Sequence, residues 1–170
     1  MLVEQRLAPS DRPMSQAAQE LVKEGRSRFE TVDCFEFVPS NYEMVWSLLD
    51  ALPRGRFCEW GSGLGIVTGL AEILGFDAHG IEIDAELALA ARRLLADVGL
   101  SSQIETGDFL TIQFEADIYF VYCWWSKVRD TESRFSAVAP ADAKLLVYHG
   151  QSDIRCKVRG EERPTTVTGL

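Results

Sequence analysis

The sequence predicts an α/β fold with an open, mostly parallel sheet and helices on both of its faces. Strand-like and helix-like segments alternate along the chain, and a glycine-rich turn joins one strand to the helix that follows. This alternation is typical of parallel sheets with right-handed crossovers. Residues 116–122 are apolar at nearly every position, as expected of a strand covered on both faces.

The N-terminal third predicts an arm and two helices. Residues 1–13 have no hydrophobic period and are interpreted as an arm of uncertain order. Apolar residues then recur at helical spacing from Met14, and Gly25 is typical of a helix end. Pro39 favours extended backbone before it, and Ser40 or Asn41 can cap a second helix that ends before Pro53.

The remaining chain predicts five strands and three further helices. A glycine ends each of the first two of these helices, and the link between the third and fourth strands is too short for more than a very short helix. The chain after Gly160 is interpreted as a tail. The predicted strands cover residues 56–60, 76–83, 103–106, 116–122 and 144–149, with one more possible at 154–158; the helices follow Gly65, cover 84–98, and pass through Val128, Phe135 and Val138.

Length and composition indicate one globular domain. The chain has 170 residues, 46% of them hydrophobic and 25% charged, which suits a single core. We expect an N-terminal arm and helix over 1–35, a core over 36–150 and a short strand and tail over 151–170. The net charge of −9 argues against a nucleic-acid partner, because binding to phosphates requires clustered cations.

Four dispersed cysteines indicate neither a metal site nor a disulfide framework. No Cys-x-x-Cys pair is present, and Cys58 and Cys123 fall within apolar strands. No apolar stretch approaches the length of a membrane span. We therefore expect a cytoplasmic protein without a membrane partner.

The glycine-rich turn is the strongest candidate binding site. Gly61, Gly63 and Gly65 lie where ligands bind in open α/β sheets, and glycine allows positive φ and a close approach of a ligand to the backbone. A dinucleotide-binding turn requires glycine at the sixth position, which is Ile66 here. The spacing therefore argues against a nicotinamide cofactor.

Residues 59–65, Glu-Trp-Gly-Ser-Gly-Leu-Gly, match the Glu-x-Gly-x-Gly-x-Gly motif of class I methyltransferases. From about residue 36 to 150 the chain resembles this Rossmann-like family. The resemblance implies S-adenosylmethionine as the cofactor, held at Gly61, Ser62, Gly63 and Gly65. It also places Glu59 near the ammonium group of the cofactor.

Two further strand ends match the family. Glu82, followed by Ile83, corresponds to the acidic residue that accepts hydrogen bonds from the ribose hydroxyls. Asp108 corresponds to the residue that accepts from the adenine amino group, and Phe109 to the side chain that packs on the adenine ring. Asp84 is better explained as the cap of the next helix.

The acceptor is expected at the end of the fourth predicted strand, at Tyr122, Trp124 and Trp125. Amino-methylating relatives often carry Asn/Asp-Pro-Pro-Tyr/Phe here, which this sequence lacks. The two tryptophans could hold a cationic amine by cation–π attraction or could simply pack in the core. Tyr122 could orient an acceptor or be a buried strand residue.

The segment Phe37-Val38-Pro39-Ser40 resembles the start of small protein-lysine methyltransferases that modify ATP synthase subunit c. This resemblance favours a protein lysine as acceptor, with a small molecule as the other possibility.

Two alternatives stay open. The chain could be a non-catalytic S-adenosylmethionine-binding module or, with less support, a nicotinamide-dependent oxidoreductase. The short C-terminal end leaves little room for the antiparallel hairpin that usually completes the sheet. That shortage suggests a homo-oligomer in which a second subunit completes the sheet edge.

Overall fold

The structure is a computed structural model that describes residues 1–29, 40–123 and 125–160. It contains seven strands, five α-helices and a 3₁₀ turn over Trp125–Lys127. The strands are β1 Leu2–Gln5, β2 Arg56–Trp60, β3 Asp77–Glu82, β4 Gln103–Thr106, β5 Ile118–Tyr122, β6 Lys144–Tyr148 and β7 Ile154–Arg159, and the helices are α1 Gln16–Phe29, α2 Tyr42–Asp50, α3 Ile66–Ile73, α4 Ala85–Asp97 and α5 Val128–Val138.

All seven strands form one sheet in the order β1-β7-β6-β5-β2-β3-β4. Strands β2 to β6 are parallel, whereas β7 runs antiparallel to β6 and β1 runs antiparallel to β7. The chain proceeds outward from β2 through β3 to β4 and then crosses to β5 on the other side of β2. This reversal opens a crevice at the carboxyl ends of β2 and β5, where ligands bind in open α/β sheets.

Helices cover both faces of the sheet, as predicted. The larger core packs α1, α2, α3 and α4 against one face, with Phe57, Phe120 and Leu146 on the sheet side. The smaller core packs α5, through Phe135, against Trp60 and other side chains on the opposite face. No helix in the described part of the chain is both long and apolar enough to cross a membrane.

The start of the N-terminal segment, which the sequence analysis interprets as an arm of uncertain order, forms a strand. Residues Leu2–Gln5 form β1, which pairs in register with β7 from Leu2 opposite Arg159 to Gln5 opposite Cys156. The antiparallel part of the sheet therefore contains β1 from the N-terminal segment in addition to β7. The homo-oligomer stays a prediction.

The sequence predicted that the first helix ends at Gly25. This prediction was wrong, because α1 continues to Phe29. A Cβ at Gly25 would overlap the side chain of Ile66, so this glycine allows α1 to approach the first turn of α3. The predicted caps are confirmed: Asn41 accepts a hydrogen bond from Met44 N at 3.2 Å, and Asp84 caps α4 through Glu86 N and Leu87 N.

Candidate functional site

The glycine-rich turn leaves the carboxyl end of β2 and enters α3. Gly61, Gly63 and Gly65 all have positive φ, of 74°, 52° and 72°. The N–H groups of Gly61 and Ser62 both donate to Ile81 O of β3, at 2.8 and 2.9 Å. The turn is therefore bound to the neighbouring strand, and its conformation favours glycine at these three positions.

Two of these glycines differ in what lies beside them. A Cβ at Gly61 would meet no atom of the described residues within 4 Å, so this part of the chain leaves open space beside the turn. A Cβ at Gly65 would lie 3.2 to 3.4 Å from Ile104, Ala91 and Leu95. Gly61 therefore provides a surface that a ligand can approach, whereas Gly65 allows α3 to pack closely on its neighbours.

Ser62 turns its side chain towards the sheet. A Cβ at Gly80 of β3 would lie 2.9 Å from Ser62 Oγ, so Gly80 provides the room for this side chain. Ser62 is 4% exposed, and its Oγ has no hydrogen-bond partner among the described residues. The role of Gly80 was missed because the sequence does not show which side chain lies over it.

Glu82 ends β3 beside the turn and is buried, with 6% exposure. Its Oε2 accepts a hydrogen bond from Gly63 N at 2.7 Å, and its Oε1 accepts one from Asp84 N at 2.9 Å. Each carboxylate oxygen can accept a further hydrogen bond. The side chain is thus fixed in place and can still accept from two neighbouring hydroxyl groups.

The end of β4 lies beside the end of β3. Gly107 N donates to Glu82 O at 2.8 Å, which brings Asp108 close to Glu82. Ile83 is 69% exposed and Leu110 is 39% exposed, which is unusual for large apolar side chains in this chain. An exposed isoleucine next to a fixed carboxylate is suited to contact with a flat apolar ring.

Phe109 lies on the opposite face of the sheet from Glu59. Its ring stacks on Trp60, with centroids 5.0 Å apart and an interplanar angle of 11°. Arg134 of α5 donates to Phe109 O at 3.1 Å and to Ile112 O at 2.7 Å. Trp60 thus packs against the segment that follows β4 and helps to hold it in place. The sequence could not indicate this role, because Trp60 and Phe109 are far apart along the chain.

Glu59 is the penultimate residue of β2 and is buried in the core, with 5% exposure. Its Oε2 accepts hydrogen bonds from Thr68 N at 2.8 Å and Thr68 Oγ1 at 2.6 Å. The pKa of Glu59 is raised to about 8, mainly by burial; the hydrogen bonds from Thr68 oppose this shift, and the nearby charge of Glu82 adds to it. A cationic ligand group would stabilise the ionised form of this carboxyl group.

Two tyrosine side chains pack together at the carboxyl ends of β5 and β6. The rings of Tyr122 and Tyr148 meet edge to face, with centroids 5.0 Å apart. Tyr148 Oη accepts a hydrogen bond from Asn41 N at 3.1 Å, and Asn41 Nδ2 donates to Ser152 Oγ at 2.8 Å. These bonds hold the start of α2 over the end of β6. Tyr148 was not among the predicted site residues, because a tyrosine in an apolar strand resembles any core residue.

Cys123 follows Tyr122 and lies on the α5 side, where its thiol is 3.5 Å from Thr131 Oγ1. Burial raises its pKa, so it remains a thiol at neutral pH. Trp124, the side chain of Trp125 and the predicted Phe37-Val38-Pro39 step lie outside the described residues.

Neither a family model nor a curated protein matches this sequence. Solved structures do match. The S-adenosylhomocysteine-bound methyltransferase PaMTH1 of Podospora anserina superposes with a TM-score of 0.60 and 19% identity, over 80% of this chain and 63% of that one. A Methanococcus maripaludis protein described as an S-adenosylmethionine-dependent methyltransferase gives 0.60 and 16%, over 84% of this chain and 68% of that one. The chain has the class I methyltransferase fold.

Mitomycin 7-O-methyltransferase MmcR also matches, with a TM-score of 0.54 and 20% identity over 78% of this chain. This chain spans 49% of MmcR and less than two thirds of PaMTH1.

Proposed function

We propose that this protein binds S-adenosylmethionine at the carboxyl ends of β2, β3 and β4 and transfers its methyl group to an acceptor near β5 and β6. The observation that carries the proposal is the open space at Gly61 beside the buried, fixed carboxylate of Glu82. The resemblance of residues 59–65 to the family motif and the class I fold support the same function.

The residues present fit this cofactor. Glu82 would accept hydrogen bonds from the ribose hydroxyls through the two oxygens that Gly63 N and Asp84 N hold in place. Ile83 would contact the adenine ring, and Asp108 would accept from the adenine amino group. Glu59 lies at the strand end nearest the turn and would favour a positive charge there.

The cofactor supplies a methyl group that its sulfonium activates. The chain must therefore align the acceptor atom with the methyl–sulfur bond and exclude water. Tyr122 and Tyr148 lie at the carboxyl ends of β5 and β6, beside the crevice at β2 and β5, and would orient the acceptor there.

The net charge of −9 favours a cationic or neutral acceptor over a polyanion. A protein lysine is the acceptor that the Phe37-Val38-Pro39-Ser40 resemblance favours, and a small amine or hydroxyl compound is the other class. The structural neighbours include a mitomycin O-methyltransferase, which makes small molecules a necessary part of any acceptor screen.

The test is transfer of a labelled methyl group from S-adenosylmethionine to lysine-containing proteins, small amines and phenols. The function predicts labelling of at least one class by the wild type and loss of that labelling in Glu82→Ala. Glu105→Ala is the matched control, because Glu105 is an exposed glutamate on the adjacent strand β4. Cofactor binding without labelling of any acceptor would contradict catalysis and favour a binding module.

A further inference from the structure

Most N–H groups of the glycine-rich turn are already used within the protein. Those of Gly61 and Ser62 donate to Ile81 O, that of Gly63 donates to Glu82, and that of Gly65 donates to Ser62 O. The amino-acid part of S-adenosylmethionine ends in a carboxylate as well as an ammonium group. These four N–H groups are not free to bind that carboxylate, so another donor is needed.

Arg26 lies where such a donor is required. The preceding residue, Gly25, packs on Ile66 at the start of α3, directly after the glycine-rich turn. The guanidinium carbon of Arg26 lies 5.8 Å from the ring centre of Tyr42, at the start of α2. Arg26 therefore lies where α1 meets the first turns of α2 and α3.

Tyr42 links Arg26 to the buried carboxyl group of the site. Its side chain is 4% exposed, and its pKa is raised mainly by burial and further by the charge of Glu59, while Arg26 opposes the shift. Both charged groups thus act on the same ring. A ligand with an ammonium and a carboxylate group could meet a negative charge at Glu59 and a positive one at Arg26.

Arg26 is exposed and forms no ion pair among the described residues. In contrast, Arg28 on the same helix pairs with Glu24 and Asp97, at 2.9 and 2.8 Å. Residues 30–39, which follow α1 in the sequence, contain no lysine or arginine. Arg26 is therefore an exposed cation near the end of α1 that lies beside the start of α2 and is not held in an ion pair within the described part of the chain.

We propose that Arg26 binds the carboxylate of the amino-acid part of S-adenosylmethionine. This assignment rests on the proposed function and adds a specificity-determining residue to it. A guanidinium group can hold a carboxylate through two parallel hydrogen bonds. The starts of α2 and α3 add positive partial charge at the same place.

The test compares S-adenosylmethionine with its decarboxylated analogue, which keeps the adenosine, the sulfonium and the amine. In calorimetric titrations, Arg26→Gln should weaken binding of S-adenosylmethionine about 10- to 100-fold, the loss expected for a charge-assisted hydrogen bond. Binding of the decarboxylated analogue should change less than about threefold, because it has no carboxylate for Arg26 to hold.

Lys23→Gln is the matched control, since it removes one positive charge from an exposed position about one turn earlier on α1. It should leave the affinities for both ligands unchanged. An equal loss for both ligands in Arg26→Gln, or no loss for either, would overturn the assignment while leaving the cofactor site intact. A wild-type protein that binds neither ligand would overturn the proposed function itself.

Discussion

The cofactor end and the acceptor end of this site lie on the same edge of the sheet but are built differently. At β2 and β3 the main chain holds the site, through the N–H groups of the turn and the two hydrogen bonds to Glu82. At β5 and β6 side chains form it, through the Tyr122–Tyr148 contact and the bond from Asn41 to Tyr148. A main-chain site tolerates changes around it, whereas a side-chain site can change its specificity with single substitutions.

The largest loss of stability is expected for a substitution in the core beneath the cofactor end, at Trp60. Trp60→Ala should lower the free energy of unfolding by about 3–5 kcal/mol, because a buried indole is removed from between Phe109 and Tyr119. Urea unfolding measures this. Trp60→Phe keeps an aromatic ring and should cost less than half as much. A loss below about 1 kcal/mol in Trp60→Ala would show that the stack does not support this end.

The second largest effect is a dependence of stability on pH that arises from the ionisation of Glu59. Its pKa in the folded protein is raised to about 8, mainly by burial, compared with an ordinary value of 4.5. Between these values the folded state binds more protons than the unfolded state, so this group's contribution to stability falls as the pH rises. The total fall is on the order of a few kcal/mol.

Glu59→Gln removes this titration and keeps a similar shape. From pH 5 to pH 8 the wild type should therefore lose stability relative to Glu59→Gln, as measured by the free energy of unfolding. Urea titrations at four pH values in this interval would measure it. Parallel stability curves for the two proteins would show that Glu59 ionises normally in the folded state.

The smallest effect is expected at the acceptor end. Tyr148→Phe removes the hydroxyl that accepts from Asn41 N, at a cost of about 0.5–1.5 kcal/mol in stability. It should leave the affinity for S-adenosylhomocysteine within about twofold, because the bond lies at the side-chain half of the site. Thermal unfolding and calorimetric titration measure the two quantities. A loss of cofactor affinity above tenfold would mean that the two ends are not separate.

The features that the sequence predicted are those encoded by neighbouring residues. The glycine-rich turn, the acidic end of β3 and the caps at Asn41 and Asp84 each depend on residues within one short segment. The predicted strand over 103–106 coincides with β4 for the same reason.

The features that the sequence did not reveal depend on contacts between distant segments. Strand β1 forms because Val3 lies opposite Val158, and Gly25 is needed because Ile66 lies against it. Trp60 has its role because Phe109 stacks on it. No local pattern of residue types indicates which distant residues will be in contact. The acceptor end is built almost entirely from contacts of this kind, such as those of Tyr148 with Tyr122 and Asn41.

The most direct test of the cofactor site compares two glycines with similar backbone but different surroundings. Gly61 and Gly75 both have positive φ, of 74° and 95°, and a Cβ at either would meet no atom within 4 Å among residues 1–29, 40–123 and 125–160. Replacing either with alanine should cause similar backbone strain, of about 1 kcal/mol. Only Gly61 faces the proposed cofactor.

The measurement is calorimetric titration of S-adenosylhomocysteine into the wild type, Gly61→Ala and Gly75→Ala. We expect binding by the wild type and by Gly75→Ala, and an affinity at least about tenfold weaker in Gly61→Ala, because the added methyl group occupies space that the ligand needs. Equal affinities for all three proteins, or no binding by the wild type, would contradict a cofactor site at this turn.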